Sequence, residues 1–535
     1  MKKNKYFIIG GGFLVLLFSF VVAYNVFFDL ENVRSVSSQK EEEFSFLNYI
    51  EMLESTLDDG INSSTDCVWH YSDFYTRLLK VRSSDIDMEL DGSTYADLME
   101  RSFKIRLSIR EKLKELEERS DITTDCLKYT RNMIRALRYA EDFIANKVAA
   151  DPDYTRPEEY ITLEGKGPHF QVNPGFSDFK NWRNLKSGDI ILSRGSAFTS
   201  AAIARFGEVD AQFSHISLAY TDPNGDLHTV ESHIEIGNVV APFINHINQK
   251  NSRTVVFRHA DSKLAHKAGR IMYELVKKHS DSGENIQYDF SMNHKNDDRI
   301  FCSEVPHIGY LRASNGKMDI PTYKMKFERT LLPFLEMIGI GVDENTIDDF
   351  ESFAPGDMEF DTRFELVAEW RNFDKLEDSR IKDAILTKMF FWIENFHYMF
   401  KKDLGTTVKS AMGWLLRRIP PWKKKYKTQF PLNMTTRQLG SFMLLDRVGE
   451  KLHQRILNEQ KKRKSHMTFI EMFEVLEEYR IEDYKKYKAL KHYRRQDPGY
   501  QMDNPKPKAP DFHLIFNSNY KYLDRVKTNS DLIFF

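Results

Sequence analysis

The chain has 535 residues, with 77 Lys and Arg against 79 Asp and Glu. This balance gives no global electrostatic case for nucleic acid, and the length predicts roughly two to four domains. Forty phenylalanines and 24 tyrosines imply large cores, or surfaces that rest on lipid or a partner.

Lys2, Lys3 and Lys5 precede a nearly unbroken apolar stretch over 7–28. As helix it spans about 33 Å, enough for a bilayer core. A cleaved signal has a shorter apolar run and a small-x-small site; Val22-Ala23-Tyr24-Asn25-Val26 is a poor one. The expectation is therefore a single-pass, uncleaved anchor, with a cleaved signal or a buried helix as alternatives. Residues 1–6 become a cytoplasmic basic tail, and Asp29 and Glu31 place the body outside, in a bacterial periplasm or envelope.

Residues 29–150 predict a helical stalk or brace, opening with a polar linker over 29–43. Cys67 and Cys126 each follow Thr-Asp within it. An exported domain permits them to pair; two separate core thiols are the alternative.

Residues 151–370 change pattern. A Pro- and Gly-rich connector over 151–180 leads to strands near 189–192, 212–220, 227–232, 239–240, 254–259 and 364–370. Thr221-Asp-Pro-Asn-Gly225 supplies a turn. Helices are expected over 196–206, 264–278 and 302–311, with Pro306 tolerated in a first turn. The class is α+β: a small antiparallel sheet flanked by N- and C-terminal helical regions.

Residues 371–500 form the C-terminal helical region. Over 375–417 it is dense in aromatics, which favours a helix–helix core over a membrane face. The basic runs 423–425 and 461–464 read as solvated faces, with contact to anionic lipid or envelope polymer as the alternative. Residues 501–535 form a tail that folds back on the body.

Cys302, in Phe301-Cys302-Ser303-Glu304-Val305, is the candidate nucleophile. A helix N-terminus lowers a thiol pKa and offers N–H groups to an oxyanion. His215, in Phe213-Ser214-His215-Ile216-Ser217, is the candidate base, and Glu231, across the turn, the group that orients it. A buried core cysteine and a structural histidine are the bland alternatives. His233, His259, His266, His294 and His307 compete as bases.

These runs, with Ser187-Gly188-Asp189-Ile190-Ile191, Val230-Glu231-Ser232 and Tyr288-Asp289-Phe290, resemble the YiiX-like, circularly permuted branch of the NlpC-type papain fold. The likeness covers about a quarter of the chain. It implies a permuted papain-like domain with Cys302, His215 and Glu231 as a catalytic triad. Tyr288, Asp289 and Ser303 would lie near substrate, and Gly188 and Asp189 would be structural. The expected function is a membrane-anchored cysteine hydrolase, a peptidase or amidase cutting an amide in a cell-envelope substrate such as a peptidoglycan peptide. A lipid or lipoprotein acyl hydrolase or acyltransferase, and a non-catalytic envelope scaffold, are the alternatives. A homo-oligomer is compatible with the sequence. No metal ligand set and no cofactor is expected: Asn293-His294-Lys295-Asn296-Asp297-Asp298 has no ligand register and reads as a polar loop.

Overall fold

The computed structural model describes residues 45–86, 92–205, 211–247, 251–295, 297–422 and 434–518. The chain divides into two units, 1–51 and 52–535. Of the first, the described residues hold only the opening turns of the helix Phe46–Asp59. The other described elements belong to the second unit.

Three long helices come first: α1 (Ser64–Leu78), α2 (Gly92–Glu118) and α3 (Thr124–Ala150). Ser63 caps α1 by accepting from the Asp66 N–H, and Thr123 caps α3 by accepting from the Cys126 N–H. Both Thr-Asp-Cys runs are thus helix starts. They lie side by side, and Cys67 is disulfide-bonded to Cys126.

A seven-stranded antiparallel sheet follows, with strands β1 (Phe170–Val172), β2 (Ile190–Gly195), β3 (His215–Thr221), β4 (Leu227–His233), β5 (Gly237–Pro242), β6 (Asn251–His259) and β7 (Phe364–Arg371), in the spatial order β1-β7-β6-β2-β3-β4-β5. Between strands come the short helix α4 (Phe198–Ala204), then α5 (Ser262–Asp281) and α6 (Glu304–Ala313). Strand alternation assigns the two faces. Ile190, Leu192, Ile216, Leu218, Val230 and Phe257 pack with Ala268 and Met272 of α5 and Val305 and Ile308 of α6. Ile191, Ala219, Val256 and Val367 point the other way, toward Phe179, Leu185 and Phe243. The α+β class is as expected. The sheet is larger than expected, because 170–172 adds an edge strand to β7.

α2 and α3 are tied to the sheet by buried ion pairs. Arg106 Nε donates to Glu141 at 2.8 Å, and its Nη2 donates to Glu369 of β7 at 2.6 Å. Arg138 reaches Glu369 at 3.2 Å, and Asp142 accepts from Arg253 at 2.8 Å and from Arg371 at 3.1 Å. Burial opposes the ionised form of Glu369, but three arginines outweigh it and hold its carboxyl far below its ordinary 4.5.

The C-terminal helices are α7 (Phe373–Phe396), α8 (Leu404–Leu416), α9 (Thr436–Arg463) and α10 (Phe469–Tyr493). The single helical stretch expected over 375–417 is broken: His397 takes the left-handed conformation, and 399–400 pairs as a strand with 516–517. Met389, Phe390, Phe391 and Trp392 are buried, in a core shared with α4, α9 and α10. Phe512 and Phe516 of the tail join that core.

The anchored topology is corrected. Among the described residues no helix is long and apolar enough to cross a membrane. The stretch 7–28, on which the anchor was placed, lies outside the described residues. The signal-anchor, the membrane partner reached through it and the envelope location built on it are therefore not retained.

Candidate metal centre

β3 and β4 form a hairpin. Asp222 Oδ1 accepts from the N–H groups of Asn224 and Asp226, and Gly225 takes the positive φ the turn requires. The register pairs Ser217 with Glu231. The next non-adjacent pair sets His215 opposite His233, so His215, Glu231 and His233 share one face at the end of the hairpin. The imidazoles lie stacked, with centroids 4.9 Å apart.

Glu231 is 1% exposed. His215 Nε2 hydrogen-bonds its Oε2 at 2.8 Å, and His233 Nε2 stands 3.1 Å from the same oxygen. On the far side Oε1 takes a hydrogen bond from the Thr229 hydroxyl and faces His246 Nδ1 at 3.5 Å. Burial pushes the Glu231 carboxyl up, yet the three histidines outweigh it and hold it well below the carboxylate range. Burial also acts on both imidazoles. It prevails at His215, whose pKa falls below 6.5. At His233 the bond to Glu231 prevails, and the pKa rises above 6.5.

The three donor atoms of His215, Glu231 and His233 lie within 4.8 Å of one another. In tetrahedral zinc sites with bonds near 2.0–2.1 Å, ligand atoms are about 3.3 Å apart. Two imidazole nitrogens converging on one carboxylate oxygen at 2.8 and 3.1 Å approach that spacing with little movement. Two histidines and one carboxylate form a recurrent open-sided metal ligand set. His215 and His233 also line a cavity of about 350 Å³, walled by Cys302, Tyr288, Glu235 and Asp446 among others. Burial pushes the Asp446 carboxyl up to about 6.

Cys302 lines the same cavity as His215 but is not prepared as a nucleophilic thiol is. It is 4% exposed and belongs to the core cluster that holds Ile216, Leu218 and Val230, at the wall of that cavity. Its polar contacts are the Ser303 hydroxyl, at 4.0 Å, Tyr288 and the backbone of Ser303 and Ile216. Among the described residues no hydrogen bond joins it to His215. Burial dominates these contacts and pushes the thiol up to about 11, so it holds its proton at neutral pH. Ser303 is the N-cap of α6, and Cys302 lies just outside the helix. Glu304, in the first turn, accepts from the Phe301 N–H at 2.8 Å; burial raises its carboxyl to about 9.

Asp289 closes a local turn, accepting from the N–H groups of Ser291 and Asn293, and faces a different cavity from Cys302. Gly188 and Asp189 are structural: Asp189 pairs with Arg258 at 2.6 Å. On sequence, His233 stood only among competing bases. Its signal was its position two residues after Glu231, which puts both on one strand face.

No family model matches this chain, and no curated protein does. Among solved structures, the crystal structure of metalloprotein yiiX from Escherichia coli is similar over 36% of this chain and 99% of its own, at 20% identity and a TM-score of 0.27. That likeness fixes neither fold nor function. The expected membership among NlpC-type cysteine hydrolases is corrected: no family model matches the chain. The expected thiol peptidase, with Cys302, His215 and Glu231 as its triad, is corrected on the state of the thiols themselves. Cys67 and Cys126 are joined in a disulfide, and the remaining thiol is buried, protonated and not bonded to the imidazole.

Proposed function

We propose that this protein binds a divalent transition metal of the zinc class through His215, Glu231 and His233, leaving a coordination position open toward the cavity. One observation carries the reading: the two Nε2 atoms meet at a single oxygen of Glu231, at 2.8 and 3.1 Å. His215 and Glu231 keep their place as site residues but act as ligands, and Cys302 and Tyr288 form part of the cavity wall. The Thr229 hydroxyl and His246 on the second carboxylate oxygen support the ligand as outer-shell partners do in metal sites. An open position on such an ion accepts water or an oxygen donor and polarises it.

The test is titration of chelator-treated full-length protein with zinc by calorimetry, and with cobalt(II) followed in the visible spectrum. One ion per chain is expected. His233→Ala and Glu231→Gln should weaken binding by about a hundredfold or more, and His228→Ala, outside the cluster, should not change it. Equal binding by wild type and a His215→Ala/His233→Ala double variant would refute the site.

A further inference from the structure

α8 is packed inside out. Thr406, Ser410 and Gly413 are its buried residues. They face α9, where Arg447 donates to the Thr406 hydroxyl at 2.9 Å and Ser410 lies against Gly440. The opposite face carries Leu404, Val408, Met412 and Leu415, and the turn after it adds Ile419 and Trp422. All six are exposed, Leu404 at 86% and Val408 at 60%. At about 100° per residue the four helical positions fall within an arc of about 80°. A helix that buries small and hydroxyl side chains while offering an apolar ladder to solvent is built for contact on its outer face.

The charges beside the ladder select the partner. Lys401, Lys409 and Arg418 are exposed near it, and no acidic residue occurs from 404 to 422. The acid at the helix start, Asp403, is engaged as the N-cap and by Arg447 at 2.8 Å. A second copy docking through this face would set cations against cations. An anionic lipid surface matches both features: apolar side chains enter the acyl boundary, cations meet headgroups, and a tryptophan sits at the interface level. We infer that α8 lies flat on anionic membrane surfaces as a peripheral contact. The helix lies along the bilayer and does not cross it.

The experiment is flotation of the full-length protein with vesicles of phosphatidylcholine alone and of phosphatidylcholine mixed with phosphatidylglycerol. Binding is expected to the mixed vesicles and to weaken as salt is raised. Val408→Asp/Leu415→Asp should lower affinity by about tenfold or more, and Lys409→Glu/Arg418→Glu should lower it for anionic vesicles alone. Both pairs are exposed, and circular dichroism checks that the variants fold. Vesicle binding retained in full by both variants would place attachment elsewhere and overturn the inference. So would a wild-type dimer that Val408→Asp/Leu415→Asp makes monomeric without any vesicle binding, since the occupant would then be a second copy.

Discussion

Arg106→Ala removes a guanidinium that is 1% exposed and donates twice to Glu141, both at 2.8 Å, and once to Glu369 at 2.6 Å. Neither carboxylate is left bare. Glu141 keeps the Ser102 hydroxyl at 2.8 Å, and Glu369 keeps Arg138 and Arg371. The cluster nonetheless loses one cation from a buried site, and the expected cost is about 3–5 kcal/mol. The pH dependence comes from linkage. Glu369 has a folded pKa far below its ordinary 4.5, so its contribution is fully present above the unfolded value and is lost as pH falls toward the folded one. Without Arg106 that depression shrinks, and acid then removes less from the variant than from the wild type. Urea unfolding should show the widest gap at neutral pH, narrowing from about pH 5 toward about pH 2. A loss under about 1 kcal/mol, or a gap that does not change with pH, would refute the reasoning.

Three further outcomes are expected. Replacing Cys67 and Cys126 by Ala opens a disulfide spanning 59 residues of sequence and should cost about 4 kcal/mol, read as a lower urea midpoint that reductant no longer shifts. Cys302, buried and raised to about 11, should react slowly with a thiol-directed disulfide reagent at neutral pH and fully once the chain is unfolded. Gly188 has φ +90, and a Cβ there would stand 2.3 Å from the Ala265 carbonyl oxygen, so Gly188→Ala should lower the thermal midpoint by at least several degrees, for a cost of about 2–3 kcal/mol.

The strands were legible because alternation and turn residues are local signals. Thr221-Asp-Pro-Asn-Gly225 marked the hairpin, and with it the proximity of His215 and Glu231. What the sequence did not reveal depends on distance along the chain. Two of the three cation partners of Glu369, Arg106 and Arg138, come from helices more than two hundred residues earlier, and no local pattern announces that pairing. The break near His397 was missed because the aromatic density on both sides reads as one helix. The reactive thiol failed for a related reason. A cysteine before a helix start suggests a lowered pKa, but burial against Ile216 and Leu218 is set by the tertiary fold and reverses the sign.

The proposed ligand set is an outcome of counting. His215, Glu231 and His233 meet because the reverse turn between β3 and β4 has a length that puts odd-numbered positions of both strands on the same side. Inserting or deleting a single residue in that turn would exchange inside for outside along one arm. Every apolar and polar side chain on that arm would be misplaced, and the three donors would be scattered, without any of them being mutated. The span 222–226 is therefore as much a determinant of the centre as the histidines themselves.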